Sequence, residues 1–127
     1  MIKILFTDDD EIVRNLYSES LQAVDGFEVE TAFDGEDALQ KINLSKPNLI
    51  ILDINMPNKS GVEVLQALKS DPNTRDIPVI MMSGHAEMHT ITECLELGAI
   101  GYIQKDEEEH EDIMAKIKLL VRLKVRN

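Results

Sequence analysis

The stretch Pro47-Asn48-Leu49-Ile50-Ile51-Leu52-Asp53-Ile54-Asn55-Met56-Pro57 contains an unbroken apolar run at 49–52 that stops on a carboxylate. Four consecutive large aliphatic residues suit a strand buried on both faces, because a half-exposed strand would alternate apolar with polar side chains. Comparable runs lie at 2–7, 79–82 and 100–103, and a weaker alternating stretch lies at 27–32, giving five candidate strands. Helical spacing of apolar residues fills the gaps: Val13, Leu16, Tyr17 and Leu21; Ala38, Leu39 and Ile42; Val62, Leu65 and Leu68; Ile91 and Leu95; Ile113, Ile117, Leu120 and Val121. Strict alternation of strand and helix implies an α/β fold, a doubly wound five-stranded parallel sheet with helices on both faces. The last helix is expected to carry acid at its N-terminal end, from residues 107–112, and base toward its C-terminal end, from Lys116, Lys118, Arg122 and Lys124, as the helix dipole favours.

At 127 residues, without repeats or a linker, the chain reads as a single domain spanning 1–127. No apolar run approaches the roughly 20 residues that span a bilayer, so the expectation is a soluble, cytoplasmic protein with no membrane partner. A formal charge of −11 argues against direct binding of nucleic acid. The single cysteine, Cys94, excludes an internal disulfide and is expected in the core.

Open parallel sheets bind ligands beyond the carboxyl ends of their strands, where strand order reverses. The first candidate strand ends in Asp8, Asp9 and Asp10, the third in Asp53, the fourth in Ser83 and Gly84, and the fifth in Gln104 and Lys105; the second lacks an obvious functional group. In the order 2-1-3-4-5 the first and third strands are neighbours, so Asp8 and Asp9 meet Asp53. Carboxylates crowded in this way raise each other's pKa unless a cation compensates, and oxygen donors suit a hard ion such as Mg²⁺. Asp10 is expected instead to cap the first helix.

A carboxylate can attack phosphorus and form an acyl phosphate, with a cation and a lysine neutralising the transferring oxygens. In that chemistry Asp53 is the nucleophile, Lys105 a point charge on the phosphoryl group and Ser83 a hydroxyl donor to it. Gly84 leaves the phosphoryl donor room to approach.

These residues resemble the receiver domain of two-component response regulators, the flavodoxin-like family of the stand-alone chemotaxis regulators. The resemblance rests on Ile4-Leu5-Phe6-Thr7-Asp8-Asp9-Asp10-Glu11 with Arg14, on the 47–57 stretch closed by Gly61, on Ile77-Pro78-Val79-Ile80-Met81-Met82-Ser83-Gly84, and on Gly98-Ala99 with Gly101-Tyr102-Ile103-Gln104-Lys105. It implies phosphorylation of Asp53 by a histidine kinase or phosphotransfer protein, with Mg²⁺ or Mn²⁺ held by Asp9, Asp53 and the main-chain carbonyl of Asn55, and Asp8 acting through the metal's waters. It also implies a switch in which Ser83 moves toward the phosphoryl group and Tyr102 turns inward, remodelling a target-binding face made by the fourth helix, fifth strand and fifth helix. Such a chain works as a monomer or a phosphorylation-promoted dimer and is no enzyme beyond catalysing its own phosphorylation and dephosphorylation. His85 overhangs the site in this reading and affects access to the phosphoryl group, whereas His89 is an exposed helix residue.

The sequence departs from the family at Asp106, where receivers usually carry a proline after the lysine; a carboxylate there is expected to compete for Lys105. That opens the alternative of a receiver-like module signalling without phosphorylation. An aspartate-nucleophile phosphatase would use similar groups, but its nucleophile typically ends the first strand in an Asp-x-Asp pattern. A flavin carrier of this fold would find three aspartates where its phosphate belongs, and a metal-binding scaffold would leave Lys105 and Ser83 without a task. Whether the chain is a whole regulator or the receiver of a longer protein stays open.

Overall fold

The computed structural model describes residues 1–125, which form five strands and five helices in strict alternation. The strands are β1 (Ile2–Thr7), β2 (Phe27–Ala32), β3 (Leu49–Asp53), β4 (Val79–Ser83) and β5 (Gly101–Gln104). The helices are α1 (Glu11–Gln22), α2 (Gly35–Leu44), α3 (Gly61–Ser70), α4 (Met88–Glu96) and α5 (His110–Lys124). The sheet is wholly parallel in the order β2-β1-β3-β4-β5, as the sequence led us to expect.

The apolar runs are continuous because both faces of the sheet are covered. Leu5, Ile50, Leu52, Val79 and Met81 pack with Ala38, Ile42, Leu65, Leu68 and Cys94 of α2, α3 and α4. The alternate residues Ile4, Phe6, Ile51, Ile80, Met82 and Ile103 pack with Tyr17, Leu21, Ile113, Ile117 and Val121 of α1 and α5. Each fully buried aliphatic side chain contributes about 1.5–3 kcal/mol of transfer free energy, so this double interior dominates the stability.

Four strand ends differ from the expected ones by a single residue. β3 continues to Asp53, paired with Met82, and β4 to Ser83, paired with Gln104. β5 runs Gly101–Gln104, one residue later than the apolar run, because its ladder is fixed against β4 through the Ile80–Gly101 pair. The extra residues carry the chemistry: the ladder itself holds Asp53 and Ser83 in place.

Helix starts follow local rules. Asp10 caps α1 by accepting from the amides of Ile12 and Val13, and Ser60 forms a reciprocal capping box with Glu63 at α3. The acidic run at the start of α5 divides in two: Glu111 and Asp112 occupy the first turn, whereas Glu108 folds back to accept from the Gln104 amide at 2.7 Å and Lys116 Nζ at 2.6 Å. Arg122 and Lys124 lie in the last turn, the dipole-favoured end.

At Gly61 an added Cβ would overlap the carbonyl oxygen of Asp53. Gly61→Ala must therefore push α3 away from the end of β3. Destabilisation of about 1–3 kcal/mol, the usual cost of overpacking, is expected in urea denaturation, together with weaker cation binding at the displaced Asp53.

Candidate functional site

β1 and β3 are adjacent, so the carboxylates that follow or end them meet at one edge of the sheet. Asp8, Asp9 and Asp53 each offer an oxygen within 4.8 Å of the others. Asp8 is almost fully buried, Asp53 is 6% exposed and Asp9 stands in solvent. The chain locks Asp8 in place: its amide donates to Ala32 O at 3.1 Å, its carbonyl accepts from Arg14 Nη1 at 2.9 Å, and its Oδ1 accepts from the Asp10 amide at 2.9 Å.

Lys105 reaches this cluster from the end of β5. Its Nζ donates to Asp8 Oδ2 at 2.7 Å and lies 3.9 Å from Asp53 Oδ1. Burial alone would depress the Lys105 ammonium, but the Asp8 hydrogen bond and the charges of Asp53 and Asp8 outweigh it and hold its pKa above the ordinary lysine value. Burial, then the neighbouring Asp8 charge, pushes the Asp53 carboxyl up to about 7, while Lys105 and the Asn55 amide pull the other way. One lysine does not balance three carboxylates, and the surplus of hard oxygen donors fits a divalent cation.

With Asp106 next to it in the chain, Lys105 pairs with Asp8. No cis peptide occurs among the described residues. The expectation that Asp106 competes for Lys105 is corrected: the Asp106 carboxylate turns toward Gly84, where an added Cβ would lie 2.8 Å from its Oδ2. Gly84 thus keeps open a gap that Asp106 borders.

Of the remaining candidates, Asn55 meets the Asp53 carboxylate through its amide, whereas Ser83 and His85 bond elsewhere. Ser83 is fully buried, and its hydroxyl donates to His85 O at 3.1 Å, within its own loop. Tyr102 is half-buried and packs with the α2–α3–α4 interior; its hydroxyl is buried, and burial, then the nearby Glu107 charge, raises its pKa. His85 is exposed, with Nδ1 3.5 Å from Glu107 Oε1, and lines a hollow of about 280 Å³ with Ile54, Asn55 and His89. Asn55 is exposed two residues past Asp53, beyond Ile54, whose amide donates to Met82 O at 2.9 Å.

One functional group at a strand end escaped the sequence reading. Two residues past β2, Asp34 is buried; its Oδ1 accepts from the Asp37 amide at 2.8 Å and its Oδ2 from Asn58 Nδ2 at 2.9 Å. An Asp-Gly pair before a helix reads as an ordinary cap, and nothing local signals the second bond.

This arrangement of strand-end carboxylates and lysine agrees with comparison to known proteins. The family model of the response regulator receiver domain matches residues 4–118. The chain belongs to that family. Among curated relatives, the receiver is 39% identical over 127 residues to a protein-glutamate methylesterase/protein-glutamine glutaminase of Clostridium acetobutylicum, across 98% of this chain and 36% of that protein. It is 36% identical to the alkaline phosphatase synthesis transcriptional regulatory protein PhoP of Bacillus subtilis, across 94% of this chain and 48% of that protein. The receiver thus spans roughly a third to a half of such relatives. Among solved structures, a CheY-like receiver domain protein from Methanospirillum hungatei superposes with a TM-score of 0.87 at 29% identity, covering 98% of this chain and 96% of that one. Chemotaxis protein CheY4 of Vibrio cholerae gives 0.84 at 31% identity, covering 94% and 98%. The receiver is therefore a phosphoacceptor module of two-component signalling with an acidic pocket suited to a divalent metal. No helix among the described residues is long and apolar enough to cross a membrane.

Proposed function

We propose that residues 1–127 form one receiver domain in which Asp53 accepts a phosphoryl group from a phosphohistidine of a kinase or phosphotransfer protein in the cytoplasm. The observation that carries this reading is the Asp53 carboxylate framed by Asp8, Asp9 and Lys105. Residues 126 and 127 belong to the proposed span but lie outside the described residues. Asp53 Oδ1 attacks phosphorus as the bond from phosphorus to the donor's leaving nitrogen breaks, leaving an acyl phosphate on Asp53 and the donor imidazole free. Hydrolysis of that acyl phosphate by water resets the site, so the domain catalyses its own phosphorylation and dephosphorylation and acts on no other substrate.

Asp9, Asp53 and the Asn55 carbonyl would hold Mg²⁺ (Mn²⁺ has the same donor preference), with Asp8 acting through its waters; the ion supplies charge neutralisation at the phosphoryl oxygens. Lys105 adds a second positive charge, released from Asp8 as the phosphoryl group arrives. Ser83 exchanges its bond to His85 O for one to a phosphoryl oxygen, and Tyr102 turns further inward with it. That shift remodels the face of α4, β5 and α5, where a downstream protein binds either the monomer or a phosphorylation-promoted dimer. Gly84 and His85 border the route by which donor and water arrive.

Intact-mass spectrometry after incubation with Mg²⁺ and acetyl phosphate tests this. One added phosphoryl group is expected on the wild type, none on Asp53→Asn and none with a chelator. An adduct that survives in Asp53→Asn would place the acceptor elsewhere.

A further inference from the structure

The loop between β3 and α3 carries Asn55, and its shape is fixed from outside. At its two ends, Ile54 donates to Met82 O at 2.9 Å and Gly61 donates to Ile54 O at 2.8 Å. Between them Asn58 adopts a left-handed backbone, φ 68°, a conformation that asparagine tolerates better than most side chains but that still needs support. The support comes from Asp34, 24 residues earlier in the chain, which accepts from Asn58 Nδ2 at 2.9 Å.

Asp34 divides its two oxygens between two tasks. Oδ1 caps α2 through the Asp37 amide at 2.8 Å, and that alone satisfies a helix start. Oδ2 is left over for Asn58. The corner that presents it is rigid: Asp37 Oδ2 accepts from the Phe33 amide at 3.1 Å and pairs with Lys41 Nζ at 3.2 Å, and Lys41 donates to Thr31 O at 2.6 Å. It also meets the loop directly, since a Cβ on Gly35 would lie 2.6 Å from Lys59 O.

We infer that Asp34 and Asn58 are positioning residues for the cation site: their side-chain hydrogen bond sets the turn that follows Asn55 and so aims the Asn55 carbonyl. The inference rests on the assignment of that carbonyl as a ligand in the function proposed above. Partners one step removed from a metal typically alter its affinity by about 10–100-fold, and a single neutral-to-charged hydrogen bond across a loop belongs at the low end.

The test is calorimetric titration of the whole chain with Mg²⁺, using Asn58→Gly, Asp34→Ala and the double variant. Glycine suits φ 68° and leaves the α2 cap intact, so Asn58→Gly removes the tie alone. Its Kd for Mg²⁺ is expected to rise about 10-fold, with the phosphorylation rate at saturating Mg²⁺ unchanged within about twofold. Asp34→Ala should match it, and the double variant should be no weaker than either. A Kd for Asn58→Gly within twofold of the wild type, or additive losses in the double variant, would overturn the inference. Should Asp34→Ala fail to fold without its cap, Asn58→Gly decides alone. Wild-type protein that binds no Mg²⁺ would instead defeat the function reading, and Asp53→Asn marks what loss of the site itself looks like.

Discussion

Lys105→Met is expected to destabilise the metal-free protein by about 3–5 kcal/mol and to slow phosphorylation by acetyl phosphate about 100- to 1,000-fold. The first effect follows from burial. Lys105 Nζ is 2.7 Å from the Oδ2 of Asp8, a side chain 1% exposed, and removing one partner of a buried pair strands the other charge. Methionine keeps most of the volume, so lost packing contributes little. The second effect follows from position: a cation 3.9 Å from Asp53 Oδ1 can shift onto the phosphoryl group as negative charge moves there, and a well-placed electrostatic donor is worth a few kcal/mol of barrier. The two effects separate with Mg²⁺. Saturating ion should restore much of the stability by neutralising Asp8 and Asp53, yet leave the rate defect. Urea denaturation with and without Mg²⁺, beside rates from intact-mass time courses, measures both. A variant that is phosphorylated at the wild-type rate would remove Lys105 from the phosphoryl group.

The frame of this molecule was readable from its residues because burial on both faces leaves a plain signature. Ile50 and Ile51 point to opposite sides of the sheet and are both fully buried, so the run that contains them has no polar gap. The acidic cluster was readable for a related reason: parallel strands put their carboxyl ends at one edge, and Asp8, Asp9 and Asp53 stand at two such ends. What the sequence hid depends on contacts between distant segments or on a choice of rotamer. Asp34 went unremarked after the second strand because its second oxygen finds Asn58 only in the folded chain. Asp106 looked like a rival for Lys105 because adjacency suggested contact, whereas consecutive side chains leaving a strand diverge. The Ser83 hydroxyl could equally have faced Asp53; its bond to His85 O is a local preference of the 83–85 turn that spacing does not encode.

The crowding that prepares Asp53 for chemistry also costs stability, and Asp53→Asn is expected to recover it in a pH-dependent way. Burial and the Asp8 charge raise this carboxyl from an ordinary 3.8 to about 7. A raised acid binds its proton more tightly in the folded chain than in the unfolded one. Its favourable contribution is therefore complete below about 3.8 and is lost as pH climbs through about 7. The span between those two values corresponds to up to about 4 kcal/mol. Asparagine has nearly the same shape and no charge to desolvate. In a chelator, wild type and Asp53→Asn should be nearly equally stable at pH 3.5, part between pH 4 and 7, and differ by up to about 4 kcal/mol at pH 8, with the variant the more stable. Mg²⁺ should close the gap at pH 8 by stabilising the wild type alone, and its affinity for the wild type should fall as pH drops below about 7, where proton and ion compete for Asp53. Guanidinium denaturation across that pH range, with and without the ion, reads all of this. A difference independent of pH would mean that Asp53 ionises freely in the fold, and the site would then need no cation to relieve it.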